Sequence, residues 1–314
     1  MKGPLYLLLF FSPGIMAQEK IVTGNVRNEA TGEPIPFVHL ILVGKTSGTT
    51  TDENGSFHWE LSAAEADDTV RFSCVGFKSL ELPISALNGA KVYMQPSVET
   101  LNEVEVYLIK GTRHAVINDF SGKRSVGLGN FSGGAYPSAV ARYYEKPRKF
   151  SGNCFLESIQ VRFYPAEGQR NLPALFRIRV LEADAGGKPG KDILAGNLVV
   201  KREPLRFSME VDMLPHYIRI PENGFFVAVE HLFVRQNAYE ELRSFRVSDT
   251  LVYRDIPVVK YAPVFKGVLE HKDKGSGAYY LGTGGWRKMD RLDTSDPAFG
   301  RRIPLPAFRL RITN

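Results

Sequence analysis

Cysteine is nearly absent from this chain of 314 residues, which holds only Cys74 and Cys154. Two thiols allow one bridge at most, and that bridge is not favoured. Cys74 sits in the apolar strand pattern Val70-Arg71-Phe72-Ser73-Cys74-Val75-Gly76-Phe77, where a lone cysteine packs as a small hydrophobe. Histidine is also scarce. None of the six begins a His-x-x-Glu or His-Glu-x-x-His pattern, so the ligand pair and general base of a zinc peptidase are missing. Gly-x-Ser-x-Gly does not occur either, which removes the strained elbow that exposes a serine nucleophile. Ser125 and Ser132 lie in Gly- and Ser-rich surroundings with the wrong spacing. Beyond the first residues no apolar run reaches the ~20 residues a spanning helix needs.

The first residues have a pattern of their own. Lys2 is followed by an apolar run from Leu5 to Phe11, then Pro13-Gly14 and the small Ala17. This is the layout of a secretory signal peptide, with cleavage expected between Ala17 and Gln18. Gln18 offers no thiol for a lipid anchor. The expected address is therefore exported: periplasmic, outer-membrane associated or extracellular. A formal charge of +6 would suit an acidic partner, but the basic residues are scattered. In Phe176-Arg177-Ile178-Arg179-Val180 and in Phe308-Arg309-Leu310-Arg311-Ile312 they alternate with apolar residues. That alternation reads as the solvated face of a half-buried strand, and export argues against nucleic acid.

From Ile21 to Gln95 no helical period appears. Short runs alternate instead: Ile21 to Arg27, Pro36 to Val43, Gly48 to Thr51, Ser56 to Leu61, Thr69 to Gly76, Ser79 to Ile84 and Lys91 to Gln95. In the fourth run Phe57, Trp59 and Leu61 share one face, leaving His58 and Glu60 to water. Asp52-Glu53-Asn54-Gly55 reads as a tight turn. It is not a calcium loop, because the later ligands and the closing Glu are absent. Seven short strands with turns every eight to twelve residues predict a β-sandwich.

The ordered blocks Gly24-Asn25-Val26-Arg27, Thr31-Gly32-Glu33-Pro34-Ile35-Pro36-Phe37-Val38, Gly48 to Phe57 and Phe72-Ser73-Cys74-Val75-Gly76-Phe77 resemble the carboxypeptidase regulatory-like domain. The version they resemble is found in exported and outer-membrane proteins of Bacteroidetes-type bacteria. The resemblance implies a transthyretin-like seven-stranded sandwich, a non-catalytic accessory module beside a TonB-dependent receptor or a peptidase. Ser97 to Val106 is similar to the Leu-x-Glu-Val-x-Val connector that leads into such a receptor's plug. No plug motif follows, and the remaining length is too short for the receptor's large barrel.

The expected organisation is a signal peptide over 1–17, the regulatory-like sandwich over 18–96, a connector over 97–150 and a second β-sandwich, jelly-roll-like, over 151–314. The connector is basic and Gly-rich, with a short helix expected near Ser138 to Tyr144. Strand patterns resume at Phe155 to Tyr164, Leu175 to Glu182, Asn197 to Lys201, Leu205 to Met213, Tyr217 to Ile220, Phe225 to Phe233, Thr250 to Tyr253, Ala278 to Leu281 and Phe308 to Ile312. Phe225 to Phe233 is apolar on both faces and belongs in the middle of a sheet. Several blocks of this unit, among them Ile220-Pro221-Glu222-Asn223-Gly224-Phe225-Phe226, resemble an uncharacterised C-terminal sandwich that accompanies the leader and supplies no activity.

Asp184-Ala185-Gly186-Gly187-Lys188-Pro189-Gly190 reads as a hairpin loop, lacking the Ser or Thr that follows Lys in a phosphate loop. The one stretch nominated for recognition is a long loop from Lys266 to Arg302. It carries Tyr279, Tyr280, Trp286, Arg287 and Arg291, and aromatic faces beside polar groups suit sugar rings or peptide chains. The plainer reading is that Tyr280 and Trp286 complete the second core. The whole reads as an exported, non-enzymatic, all-β binding or assembly module that needs no cofactor or metal. Its partner classes are a glycan or an outer-membrane protein. The rival readings are a glycan or peptide hydrolase with its site in the second unit, and a small outer-membrane barrel beyond Phe155.

Overall fold

The computed structural model describes residues 20–62, 65, 67–97, 109–117, 124–129, 137–246, 251–270, 277–290 and 302–314. The expected signal peptide lies outside them. The first unit holds β1 Lys20–Asn28, β2 His39–Leu42, β3 Gly48–Thr50, β4 Ser56–Leu61, β5 Thr69–Ser73, β6 Leu80–Pro83 and β7 Ala90–Met94. They form two sheets, ordered β4-β1-β7 and β3-β2-β5-β6. The strand period of two decides what lies between them. Phe57, Trp59 and Leu61 of β4 point inward with Val22, Val26, Leu40, Leu42, Val70 and Phe72, while His58 and Glu60 stay in water. The turn before β4 closes on itself: one Asp52 carboxylate oxygen accepts the amides of Asn54 and Ser56, and Gly55 supplies a φ of 71°.

Among the described residues the second unit holds β8 His114–Ile117, β9 Ser125–Leu128, β10 Ala139–Tyr144, β11 Phe155–Arg162, β12 Ala174–Ala183, β13 Pro189–Asp192, β14 Leu198–Arg202, β15 Ser208–Asp212, β16 Phe225–His231, β17 Ala238–Arg246, β18 Val252–Tyr261, β19 Phe265–Glu270, β20 Ala278–Gly282, β21 Gly285–Lys288, β22 Ile303–Pro306 and β23 Phe308–Thr313. A seven-stranded sheet runs β13-β12-β16-β10-β20-β21, with β14 also pairing β12. Against it stand a four-stranded sheet, β15-β11-β23-β8, and a three-stranded one, β22-β19-β9. Phe176, Ile178, Val180, Phe225, Val227 and Val229 from the large sheet meet Leu156, Ile159, Val161, Phe265, Phe308 and Leu310 in a single core. The protein is all-β, and layered sheets give it the sandwich architecture.

β16 lies between β12 and β10, every residue of it buried, as its two-sided apolar run predicts. Other expectations are corrected. Ala139–Tyr144 is not helical: it is the strand that separates β16 from β20, its Ala and Val residues buried on both faces. β8 pairs with β23 and β9 with β19. Tyr217 to Ile220 forms a single bridge, Arg219 to Phe155, rather than a strand. The described part of the late loop contributes the paired strands β20 and β21. Among the described residues β17 and β18 pair only with each other. The cysteines are both free and buried, Cys74 in the first core and Cys154 in the second.

Candidate functional site between the two units

The reverse face of the seven-stranded sheet is where the two units meet. On β12, Phe176, Ile178 and Val180 point to the main core, so period two sends Arg177 and Arg179 to the opposite side. On β16 the same rule separates Val227 and Val229 from Glu230. Register places Arg177 directly opposite Glu230. In the first unit Leu40 and Phe72 face the sandwich core, and their neighbours His39 and Ile41 on β2, with Arg71 and Ser73 on β5, share the outer face. That outer face lies against the arginines.

Arg177 is 1% exposed, and its guanidinium bridges the units. Nη1 pairs with Glu230 Oε2, Nη2 donates to the carbonyl of Phe37, and Nε donates to Asn197 Oδ1 at 2.6 Å. Asn197 in turn donates to the carbonyl of Pro36 at 3.0 Å. Phe37 sits at φ 58°, a region that costs a residue with a Cβ about 1–3 kcal/mol. The turn aims two successive carbonyls at the second unit. Burying a guanidinium is tolerable only when its donors are met, and here carboxylate, amide and carbonyl meet them.

His39 is also fully enclosed. Its Nε2 lies 3.1 Å from Glu230 Oε2 and its Nδ1 3.0 Å from Thr50 Oγ1, which accepts the Phe233 amide at 2.9 Å. Nε2 thus lies between the Glu230 carboxylate and Arg177 Nη1, 3.0 Å from the latter, while Nδ1 meets the Thr50 hydroxyl. Burial pushes the imidazole pKa down by more than Glu230 raises it. Burial alone would raise the Glu230 carboxyl, but Arg177, then His39 and Arg179, outweigh it and hold that pKa well below the usual range. Arg179 forks onto both oxygens of Asp192 at 2.9 and 2.7 Å and reaches Glu230 Oε1 at 3.4 Å. Burial would lower its pKa, yet these two carboxylates raise it. The expectation that Arg177 and Arg179 face water is thus overturned: a second layer of protein covers them.

Beside this clamp the two faces diverge into a cleft of about 740 Å³. From the first unit Ile41, Arg71, Ser73 and the segment from Cys74 to Phe77 line it. From the second come Lys191, Asp192, Leu281 and Trp286, along with the clamp itself. Trp286 is the one described residue of the nominated recognition set that lines the cleft. Tyr279 is buried edge-on against Phe226 at 5.5 Å, its hydroxyl donating to the Gly187 carbonyl at 3.2 Å. Tyr280 is half-buried against the main core, Arg287 is exposed on β21, and Arg291 lies outside the described residues. Trp286 packs on a third small cluster, Ala141, Leu181, Phe226, Ala228 and Tyr279, on the reverse face of the large sheet.

Among the described residues no three His, Cys, Asp or Glu side chains gather as a metal site, and no helix is long and apolar enough to cross a membrane. Sequence reasoning missed the clamp, although it left one signal. Glu230 is a carboxylate inside a run, Phe225 to Phe233, that is apolar but for it and His231, and a carboxylate buried there requires a cation partner.

Residues 22–108 match the family described as CarboxypepD_reg-like domain. Similar proteins share this region. TonB-dependent receptor P3 of Formosa agariphila is 32% identical over 107 residues, 34% of this chain and 10% of the receptor. TonB-dependent receptor SusC of Bacteroides thetaiotaomicron is 37% identical over 98 residues, 31% of this chain and 9% of the receptor. The match therefore spans about a tenth of the length of these curated relatives. A solved structure of T=1 particles derived from infectious bursal virus aligns over 94% of this chain and 58% of that one, at 8% identity and a TM-score of 0.21. So low a score carries no argument.

Proposed function

We propose that this protein is an exported, non-catalytic binding module of the cell envelope that takes its ligand in the cleft between a regulatory-like domain and the second unit. The observation that carries this reading is the clamp. Arg177, Arg179, Glu230 and Asp192 of the second unit hold one another, and Arg177 and Glu230 reach across to Phe37 and His39 of the first, so these charges tie the two walls together rather than stand ready for proton transfer. A pocket at a domain junction, mostly pre-formed and part apolar, is the usual place for a ligand. The match of residues 22–108 to TonB-dependent receptors supports an outer-membrane or periplasmic setting, and the leader pattern supports export with a mature end at Gln18.

The test is fractionation of cells that make the chain with a C-terminal tag, followed by N-terminal sequencing. Recovery from the envelope, beginning at Gln18, is the expected result. A cytosolic protein that retains Met1 contradicts export, and turnover of a glycan or peptide substrate by the purified chain contradicts the non-catalytic reading.

A further inference from the structure

The cleft's chemistry points to a ligand class, and this inference rests on the binding reading above. The enclosed charges on its floor are neutralised in pairs, Arg177 with Glu230 and Arg179 with Asp192 through two parallel bonds, and Lys191, the further cation of that wall, is exposed to solvent. Arg71 is likewise bonded to Glu81 at 2.8 Å. A ligand therefore needs no net charge. The paired groups still offer hydrogen-bonding capacity, since a carboxylate has about four acceptor sites and the Arg179 fork on Asp192 uses only part of them. Ser73 and Ser79 add hydroxyls. Apolar surface lies among these groups, Ile41 on one wall and Leu281 with Trp286 on the other. A lining that mixes fixed hydrogen-bonding groups with an indole fits a molecule with hydroxyls around its edge and C–H bonds on its face.

We infer that the cleft binds a neutral saccharide, with Trp286 as the stacking platform against a sugar ring and Asp192, oriented by Arg179, as acceptor for its hydroxyls. Trp286 suits the role because it is held without being sealed. One side packs on the small reverse-face cluster, and the residue stays partly exposed. A ring already fixed in place loses little entropy on binding. The cleft volume lies within the ~300–1,000 Å³ range of small-molecule sites, enough for a short oligosaccharide rather than a polymer threaded end to end.

The chain holds two tryptophans, Trp59 and Trp286, which makes the site optically separable. Trp59 is buried in the first core at 6% exposure and serves as an internal reference. The experiment screens the mature chain against an array of neutral and anionic oligosaccharides and then titrates the hits by tryptophan fluorescence with acrylamide quenching. Expected are binding to neutral members, loss of the Trp286 quenching on binding, and at least a tenfold weakening in Trp286→Ala with an unchanged melting temperature. Trp286→Tyr, which keeps a ring, should restore most of the affinity. If Trp286→Ala fails to fold, Trp286→Tyr and Asp192→Asn decide: unchanged affinity in both overturns the assignment. Binding confined to anionic glycans or to peptides overturns the ligand class while leaving the binding-module reading intact. An absence of any hit from a folded, exported protein overturns the saccharide proposal alone, whereas a cytosolic protein overturns the reading beneath it.

Discussion

Phe176-Arg177-Ile178-Arg179-Val180 on β12 and Phe308-Arg309-Leu310-Arg311-Ile312 on β23 are nearly the same pattern, yet they live in opposite environments. Both strands send their apolar residues into the one core of the second unit. The Arg177 side chain is 1% exposed, whereas that of Arg311 is 44% exposed. Arg311 pairs with Glu157 at 3.1 Å at the surface, and Arg309 is exposed. What differs is the layer beyond. The reverse face of β12 is covered by the first unit, and that of β23 is not. Alternation fixes which residues share a face, but it does not say whether water or another sheet lies on the far side.

The largest effect expected from this difference comes from removing the carboxylate at the centre of the clamp. Glu230→Ala leaves the Arg177 guanidinium buried without its counter-charge, a loss of about 3–5 kcal/mol, readable as a drop in the denaturant midpoint. Replacing both partners, Arg177→Met with Glu230→Leu, should recover part of that loss, because no uncompensated charge stays buried, while the Phe37 carbonyl, Asn197 and His39 still lose their partners. A double variant as unstable as the single one would show that packing, not charge, dominates the contact.

The next effect is a pH dependence next door on β16. His231 is fully buried, its ring against Phe265 at 4.9 Å. Burial outweighs the hydrogen bond to the Ser138 carbonyl and lowers its pKa from 6.5 to about 4. The folded state therefore keeps this imidazole neutral where the unfolded chain protonates it. Its contribution is complete above pH 6.5 and is lost as pH falls towards 4, amounting to about 3 kcal/mol. Unfolding curves of wild type and His231→Gln between pH 7.5 and 4 should diverge in slope by that amount. Parallel curves would place the titration elsewhere.

The smallest effect belongs to the other arginine strand. Arg311→Ala removes the exposed partner of Glu157, which His114 still holds, and should change stability by about 0.5 kcal/mol or less, with the difference from wild type shrinking further in high salt. A loss near that of Glu230→Ala would mean that β23 is covered in solution by something equivalent to the first unit.

The same contrast explains what could be read in advance. All seven strands of the first unit were legible because alternation, Gly-bearing turns and ordered blocks agree there. β16 was legible from its two-sided apolar run. β10 was not: Ala139, Ala141 and the Gly- and Ser-rich residues before it imitate a linker with a short helix, and only pairing to β16 and β20 makes it a strand. The clamp was hidden because its partners, His39 and Phe37 on one side and Arg177 and Glu230 on the other, are separated by some 140 residues or more. Of the residues nominated for recognition, Trp286 belongs to the cleft because the β20–β21 hairpin carries it there. Tyr279 and Tyr280 are spent on packing.

Scanning calorimetry of the mature chain tests the account at its centre, the claim that Arg177 makes the two units one body. A single cooperative transition is predicted for wild type, separating into two in Arg177→Ala as the first unit is released. Two independent transitions in wild type, or one unchanged transition in the variant, would contradict it.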